Sequence, residues 1–381
     1  MARRVLFISN IAWNFIWQRH QTMASLFASD ADVVFCEVPG MRRVGWRDAP
    51  RILARLRQLL GAGRTRQETE QVPKGIRIVR PFILPATNAV FCAINARLLD
   101  RFLAREATLL RGVDLVVNYS PARTALQLLD RVAHRRLVYD CTDNWLAMRG
   151  IPRRLQGDER AVLARADLTI VPSRRLEELK QPHARRIARV PHGALVERFL
   201  LDPAVRAPGT PLTLLYYGHV HAQHLDIAAI DTLARARPAW RIVLVGPVKT
   251  PHVFPQNVEL RGQQPHERLR ESVRSADLLL LPYVINEYTG AVLPAKIYEY
   301  LATGRPIVAA PLPELTGGFR AQLHFAASPA EWADAVERAL NEDSPGARES
   351  RIEIARANTW ASRYERIRVL LAELDAAPVS G

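Results

Sequence analysis

The alternation of short apolar runs with amphipathic stretches limits most strongly what this chain of 381 residues can fold into. Near-continuous apolar runs separated by helices are typical of a parallel sheet that is covered on both faces. The pattern stops at a segment rich in Pro and Gly, residues 191–211, and then starts again. The sequence therefore predicts an α/β protein with two Rossmann-like parallel sheets. The predicted strands are 4–9, 32–38, 114–120, 136–141, 167–173 and 186–191 before the break, and 212–218, 240–247, 257–262 and 277–283 after it.

The length of the chain also predicts more than one domain, because a single ordinary core rarely grows this large. We expect a first domain at 1–193, a linker at 194–211 and a second domain at 212–355. Two helices, at about 329–341 and 348–375, are expected near the end of the sequence. Ligands bind beyond the carboxyl ends of the strands in open parallel sheets, so the loops after the strands should carry the site.

The positive charge is confined to the first half of the sequence. Residues 1–193 hold 33 Lys and Arg against 17 Asp and Glu, whereas residues 194–381 hold 20 against 21. A bias toward arginine explains why Arg outnumbers Lys, but it does not explain the neutral second half. The asymmetry predicts an anionic partner for the first half, either a nucleic acid or an anionic membrane leaflet.

A basic amphipathic segment at 46–63 stands outside the alternation. Six apolar residues fall on one helical stripe there, and four arginines flank it. Such a helix fits a membrane-surface anchor or an ordinary helix packed on the sheet, and the neighbouring Met41 and Trp46 favour the membrane. The three cysteines lack metal-like spacing, and no signal peptide or membrane-spanning run is recognised. We therefore expect a cytoplasmic protein that associates peripherally with the inner membrane.

The stretch "VLPAKIYEYLATGRPIVAA" (292–310) reads as a helix, a stop at Gly304 and an apolar strand. Lys296 and Glu299 are three residues apart, which places both on one face of the helix. A carboxylate can bind both hydroxyls of a ribose, and an ammonium group can neutralise a diphosphate. A solvated surface pair is the alternative, but the neighbouring apolar residues favour a ligand site.

Five stretches together resemble the GT-B glycosyltransferases, and within them bacterial family-4-like enzymes of capsule, teichuronic-acid and exopolysaccharide assembly. They are "FISNIAWNFIWQRHQTMASLFA", "LVYDCTDNW", "VPHGALVERF", "YYGHVHAQHLDIAAIDTLARARPAWRIVLVGPV" and "LPAKIYEYLATGRPIVAAPLPEL". The last is very similar to the family's "NPxKLYEYLAxGKPVV" motif and is the most specific, and the resemblance covers most of the chain.

The resemblance implies transfer of a sugar from a nucleoside-diphosphate sugar, which is a substrate, so that no cofactor is expected. The second domain would bind the nucleotide and face the first, acceptor-binding domain across a cleft. The final helix, residues 356–381, would return to the first domain. Acceptors in such pathways are often polyprenyl-diphosphate-linked sugars or other glycans at the inner leaflet, which agrees with the basic first half.

The candidate donor-binding residues follow strands of the second half. A glycine at a strand end lets a phosphate approach the backbone, and a helix N-terminus attracts phosphate. Glycines at strand ends and solvated loops are common in proteins. For Gly218 and for the loop residues, an ordinary structural role therefore remains the alternative to ligand binding. His219, with His221 and His224, could in principle bind zinc, but no Cys or carboxylate cluster completes such a site. The candidates are Gly218, His219, Lys249, Tyr288, Thr289, Lys296 and Glu299.

The candidate catalytic residues lie in the first half. Asp143, in "YDCTDNW", could be the general base that deprotonates the acceptor hydroxyl, or the N-cap of a helix before Trp145. His20 is the rival base, and Arg19 could bind an acceptor phosphate. His192, in "PHG", reads as a structural residue at the hinge.

The stereochemistry of transfer stays open in the sequence. Many retaining relatives carry two glutamates eight residues apart, but the position eight before Glu299 is Ala291. Inversion with an aspartate base is therefore slightly favoured over retention. No DxD-type motif is recognised, so we expect metal-independent chemistry with phosphates held by cationic side chains and a helix dipole.

Two other classes of function remain as alternatives. A nucleotide-sugar 2-epimerase shares the double-Rossmann architecture, but it would not need a basic amphipathic helix. A nucleic-acid-binding protein would explain the charge of the first half, but no recognised motif or aromatic-interleaved basic stretch supports it. The expected partners are thus a nucleotide sugar, a glycan or lipid-linked acceptor and an anionic inner leaflet, and not a nucleic acid.

Overall fold

A computed structural model describes residues 3–38, 72–84, 88–148, 150–202 and 210–376. The chain divides into two compact units. Unit 1 comprises the described residues within Met1–Pro172, Leu176–Val190 and Val369–Gly381, and unit 2 comprises Ser173–Arg175 and Pro191–Arg368. The amphipathic helix predicted at 46–63 lies outside the described residues. Within them, no helix combines the length and apolar character needed to cross a bilayer.

Unit 1 contains a sheet of seven parallel strands in the order β3-β2-β1-β4-β5-β6-β7. Its strands are β1 Arg3–Ser9, β2 Ala31–Glu37, β3 Ile76–Val79, β4 Val113–Asn118, β5 His134–Asp140, β6 Leu168–Val171 and β7 Ile187–Arg189. The helices of this half are α1 Arg19–Phe27, α2 Ala89–Arg105, α3 Ala107–Leu110, α4 Arg123–Leu129, α5 Leu155–Arg165 and α6 Arg174–Lys180. All the strands predicted in this half are present, whereas β3 was not predicted because it is short and its Arg77 is exposed.

Unit 2 contains a sheet of six parallel strands in the order β10-β9-β8-β11-β12-β13. Its strands are β8 Thr213–Tyr217, β9 Arg241–Val245, β10 Val258–Gly262, β11 Leu278–Leu281, β12 Ile307–Ala309 and β13 His324–Phe325. The helices that follow are α7 Ile227–Ala236, α8 His266–Arg274, α9 Ile297–Ala302, α10 Pro313–Gly318, α11 Trp332–Asn341, α12 Pro345–Ala357 and α13 Trp360–Ala376.

The sheet of unit 2 is buried on both faces. Leu215 and Leu279 belong to one apolar cluster, and an adjacent residue of each strand, Leu214 and Leu280 respectively, belongs to a second. Since successive strand residues point to opposite faces, the two clusters are the two covered sides of the sheet. The predicted α/β class with two Rossmann-like parallel sheets is confirmed.

In both sheets, the direction in which the chain adds successive strands reverses at one place. The order places β1 next to β4 in unit 1 and β8 next to β11 in unit 2, with the connections on either side running outward in opposite directions. The crevice at such a switch point is where doubly wound folds bind their ligands. The strand order therefore directs attention to the loops after β8 and β11.

The prediction of a single helix at 348–375 is wrong, because α12 and α13 are separate helices. Asn358 leaves the helical conformation with φ −122° and ψ 50°, and the Thr359 hydroxyl accepts a hydrogen bond from the Ser362 N–H at 3.1 Å. The break exposes backbone groups that pair with Ala194, whose N–H donates to the Asn358 carbonyl at 3.1 Å. A Cβ on Gly193 would lie 2.6 Å from the backbone nitrogen of Trp360, which explains the glycine after His192.

The described residues of the predicted linker and of the last helix pack as parts of the two units. Within 194–202, Val196 and Phe199 belong to the core of unit 2. In unit 1, the Arg136 guanidinium donates to the Leu374 carbonyl at 2.7 Å and pairs with Asp375 at 3.2 Å. The last turns of α13 are thus held against unit 1.

Candidate functional site

Two glycines bring the ends of β8 and β9 into close approach. Gly218 and Gly246 have φ angles of +144° and +139°, in the region that favours glycine. A Cβ on Gly246 would lie 1.9 Å from the Gly218 carbonyl oxygen, so no larger residue fits without a backbone shift. Beyond them, Val220 and Val248 form a parallel bridge. The two loops therefore leave the sheet side by side at its carboxyl edge.

Lys296 lies at the end of the loop that follows β11, as the N-cap of α9. Its Nζ donates to the Tyr283 hydroxyl at 2.9 Å and lies 5.1 Å from the centre of the Tyr216 ring. A Cβ on Gly218 would lie 2.8 Å from this Nζ. The ammonium group thus sits against the end of β8, at the switch point of the sheet. Lys296 was predicted to lie on the helix, whereas it occupies the N-cap position before it.

Glu299 lies in the first turn of α9. Its Oε2 accepts a hydrogen bond from the Tyr217 hydroxyl at 2.6 Å, and the Tyr217 N–H donates to the Tyr300 hydroxyl at 3.2 Å. Burial raises the pKa of the Glu299 carboxyl, although the Tyr217 bond and the Lys296 charge lower it, and the net direction is upward. Glu299 is oriented by a phenol and is only partly exposed, unlike a member of a solvated surface pair.

Lys296 keeps its charge in this partly buried setting. Burial lowers the pKa of the ammonium group, but the oxygens of Tyr216, Tyr283 and Glu299 raise it, and the net direction is upward. The residue is therefore a cation at neutral pH. A fixed cation at the carboxyl edge of the sheet is suited to bind an anion.

Two of the histidines after Gly218, His219 and His224, have lowered pKa values. Burial, together with the charges of Lys249 and Lys296, lowers the pKa of His219 to about 4. Burial and His221 lower the pKa of His224. In the described parts of the chain no group of three His, Cys, Asp or Glu residues could hold a metal, so these histidines are not arranged as a zinc site.

Lys249 and Tyr288 lie on the loops around this group. The Lys249 N–H donates to the Val220 carbonyl at 2.9 Å, and the side chain is exposed. The Tyr288 ring centre lies 5.0 Å from that of His224. Both predicted site residues thus belong to the same edge of unit 2 as Gly218.

Thr289 shapes its own loop. Its hydroxyl donates to the Val284 carbonyl at 2.5 Å and accepts from the Asn286 N–H at 3.0 Å, and the residue is buried. These bonds use the hydroxyl inside the loop, whereas the sequence predicted a contact between the donor and backbone N–H groups near Thr289, which stays a prediction. Thr289 instead fixes the conformation of the segment that leads to Lys296.

Arg19 is buried in unit 1. Its Nε donates to Asp140 Oδ2 at 2.8 Å, and a terminal nitrogen donates to the Val190 carbonyl at 3.0 Å. The side chains of Arg19 and Asp140 are only 2% and 1% exposed. This burial disagrees with the predicted contact to an acceptor phosphate, and the ion pair instead fastens the start of α1 to the end of β5.

The two candidate bases have different surroundings. The His20 ring is buried, stacks on Tyr119 at 3.8 Å, and its Nδ1 lies 2.9 Å from the Ser9 hydroxyl. Burial and the Arg19 charge lower the pKa of His20 to about 3, which makes it a weak base. Asp143 is partly exposed, and its Oδ2 accepts from the Thr142 hydroxyl at 3.1 Å.

The N-cap alternative for Asp143 is not what the structure shows. The N-cap position of the short 3₁₀ turn Trp145–Ala147 is occupied by Asn144, whose side chain makes no capping hydrogen bond. Asp143 therefore follows the end of β5 without serving as that cap. Of the two predicted bases, it is the one that solvent can reach.

Several residues that shape these sites were not predicted. Tyr216, Tyr217 and Tyr283 contact the charged groups of Lys296 and Glu299, and the pair of tyrosines before Gly218 was the only sequence signal. In unit 1, the Lys180 Nζ donates to Glu159 Oε2 at 2.7 Å, and both side chains are buried. This ion pair left no signal in the sequence because its members are 21 residues apart.

The strand order of both units and the site at the switch point define the fold of GT-B glycosyltransferases. The sucrose-phosphate synthase of Thermosynechococcus elongatus superposes with a TM-score of 0.70 at 16% identity, covering 98% of this chain and 99% of that one. HepE of Anabaena, solved in complex with UDP, gives a TM-score of 0.68 at 12% identity, covering 97% and 100%. Such similarity establishes the fold.

The second half of the chain matches a sequence family. Residues 211–342, which include every candidate residue of unit 2 from Gly218 to Glu299, match the model of the family described as glycosyl transferases group 1. A curated relative is TuaH of Bacillus subtilis, whose name assigns it to teichuronic acid biosynthesis as a glycosyltransferase. It is 23% identical over 261 residues, and the match spans 61% of this chain and 66% of TuaH.

Proposed function

We propose that this protein is a glycosyltransferase that moves a sugar from a nucleoside-diphosphate sugar to an acceptor in cell-surface glycan biosynthesis. The observation that carries the proposal is the placement of the Lys296 ammonium and the Glu299 carboxylate, each held by a tyrosine hydroxyl, at the switch point of the second sheet. The group 1 family domain that contains them supports the same class of reaction.

Each group of the site has a role in this proposal. The Glu299 carboxylate accepts the ribose hydroxyls, and the Lys296 ammonium neutralises the diphosphate. The absence of a side chain at Gly218 lets the Lys296 Nζ lie against the end of β8, where it would meet a phosphate. The complex of HepE with UDP supports a nucleoside diphosphate as the ligand class.

A thermal-shift panel of nucleoside-diphosphate sugars tests donor binding. At least one uridine or guanosine diphosphate sugar is expected to raise the melting temperature, because a ligand that binds only the folded state stabilises it. Glu299→Ala should abolish the shift, since it removes the carboxylate that Tyr217 orients. Glu353→Ala, an exposed glutamate on α12, should keep it. If no nucleotide sugar changes the melting temperature, the glycosyltransferase proposal fails.

For the acceptor we propose a glycan or a polyprenyl-diphosphate-linked sugar at the anionic inner leaflet, which the protein would reach as a peripheral membrane protein from the cytoplasm. The positive charge of residues 1–193 supports this location. The name of TuaH supports a role in cell-surface glycan assembly. Conversion of a nucleotide sugar in the absence of any acceptor would instead favour a 2-epimerase.

For the chemical step we propose direct displacement with inversion. Asp143 takes the proton of the acceptor hydroxyl, whose oxygen then attacks the anomeric carbon as the bond to the nucleoside diphosphate breaks. The leaving diphosphate gains negative charge, which the Lys296 ammonium stabilises without a metal ion. The proposal gives His20 no part in proton transfer, since its ring is buried and its pKa is lowered to about 3.

Asp143→Asn tests the base. The variant is expected to keep the thermal shift with the donor while its rate of transfer falls roughly 10²–10⁴-fold, the usual contribution of a general base. The rate is measured as nucleoside diphosphate released in the presence of membranes that carry the acceptor. Asp130→Asn, at an exposed ion pair with Arg165, should change the rate little. Full activity of Asp143→Asn would remove Asp143 as the base.

A further inference from the structure

Helix α2 of unit 1 buries only a narrow face. Of its seventeen residues, Asn95 and Leu99 are buried. The Asn95 side chain exchanges hydrogen bonds with the backbone of Leu84 at 2.8 Å, and the Cys92 carbonyl accepts from Gln127 of α4 at 2.8 Å. These contacts fix which side of the helix faces the protein, and so they fix which side faces solvent.

The solvent side carries one continuous stripe, which we call the α2 stripe. Its members are spaced by three or four residues, so they share one face of the helix. Val90 is 65% exposed and Ile94 is 37% exposed, at the N-terminal end of the stripe. The exposed arginines of the C-terminal end complete it. The α2 stripe consists of Val90, Ile94, Arg97, Arg101 and Arg105.

Within the described part of the chain, no carboxylate forms an ion pair with the arginines of the α2 stripe. Asp100, at its edge, pairs with Arg131 at 2.7 Å. Among the residues that the structure describes, no ion pair within 4.0 Å is found for Arg97, Arg101 or Arg105. The helix thus presents three cations and two branched apolar side chains to the same side.

We propose that the α2 stripe docks on an anionic lipid surface. Branched apolar side chains enter the boundary between headgroups and acyl chains, and guanidinium groups bind lipid phosphates, which is how amphipathic surface helices attach to membranes. A single-stranded nucleic acid would favour exposed aromatic rings for stacking, and the stripe has none. The docking surface lies in the half of the chain that carries the whole net positive charge.

The α2 stripe would be the surface through which the protein meets the membrane in the proposed function. The inference depends on that function only because a lipid-linked acceptor would bring the protein to the membrane. Donor binding at Lys296 and Glu299 belongs to unit 2, whereas α2 belongs to unit 1. The two properties can therefore be lost separately.

Vesicle co-sedimentation tests the proposal with the full chain. The protein is expected to sediment with vesicles of equimolar phosphatidylcholine and phosphatidylglycerol, and much less with phosphatidylcholine alone. The double variant Arg97→Glu/Arg101→Glu should lower the partition coefficient roughly 30-fold or more, because each basic residue near an anionic surface contributes about fivefold. Val90→Ser/Ile94→Ser should also lower it, since the apolar contact is lost.

Matched controls separate a local surface from net charge and exposed apolar area. Arg268→Glu/Arg270→Glu on α8 of unit 2 changes the charge equally, and Val253→Ser removes a side chain that is 91% exposed. Both should bind vesicles nearly as the unaltered protein does, and all variants should keep the donor-induced thermal shift. Equal vesicle binding by the α2 variants and the unaltered protein would overturn the proposal. Salt-sensitive binding to DNA, lost in the arginine variant while vesicle binding persists, would assign the stripe to a nucleic acid.

Discussion

Lys296→Met is expected to lower the rate of sugar transfer roughly 10²–10³-fold, the usual loss when one donor that stabilises developing charge is removed. The Lys296 ammonium is held against the end of β8 by Tyr283 and Tyr216, so its position does not depend on the ligand. Methionine keeps most of the volume of the side chain and removes the charge. The rate is measured as nucleoside diphosphate released with acceptor present, at saturating and limiting donor.

Lys249→Met is the matched control for this variant. Lys249 lies on the neighbouring loop but is exposed, so its loss should cost far less than the loss of Lys296. A chelator such as EDTA should leave the rate of the unaltered protein unchanged if Lys296 takes the place of a metal ion. A rate for Lys296→Met within about threefold of the unaltered protein would contradict its role with the leaving diphosphate.

Lys180→Met is expected to destabilise the protein by about 3–5 kcal/mol, the usual cost of removing one partner of a buried ion pair. The Lys180 Nζ lies 2.7 Å from Glu159 Oε2, and both side chains are almost wholly buried. The Tyr139 hydroxyl also donates to Glu159, at 3.1 Å. Without Lys180 the carboxylate would be left charged in an apolar surrounding, with only neutral hydrogen-bond partners.

Urea unfolding checks this prediction, followed by a probe of unit 1 because two units need not unfold together. The double variant Glu159→Gln/Lys180→Met should recover part of the lost stability, since an amide costs less to bury than an unpaired carboxylate. Lys74→Met, on the exposed turn before β3, should have little effect. A loss of less than about 1 kcal/mol for Lys180→Met would show that water or the protein relaxes around Glu159.

The strands of both sheets could be predicted because buried parallel strands leave a local record in the sequence. Runs such as "RVLFIS" and "DLLLLPY" are apolar at nearly every position, and β1 and β11 coincide with them. The motif around Lys296 and Glu299 is local too, since its helix, its stop at Gly304 and its strand β12 follow within twenty residues. Local patterns were therefore sufficient for the fold and for the most prominent charges of the site.

The features that could not be predicted depend on partners far away in the sequence. Arg19 was expected to face a ligand, but its partner Asp140 is 121 residues away. The break between α12 and α13 reflects the approach of Ala194, which no helical periodicity records. Thr289 was placed on the correct loop, but only the loop conformation shows that its hydroxyl bonds to Val284.

The phenols around Lys296 and Glu299 have a consequence for how a ligand would enter. Tyr283 and Tyr217 orient the two charged groups through neutral hydroxyls, with bonds of 2.9 and 2.6 Å. An anion that approaches Lys296 therefore need not displace a hydrogen-bonded carboxylate from it, and much of the desolvation of the ammonium group has already occurred in folding. The site is preorganised, because the free energy needed to arrange its charges is spent when the protein folds and not when a ligand binds.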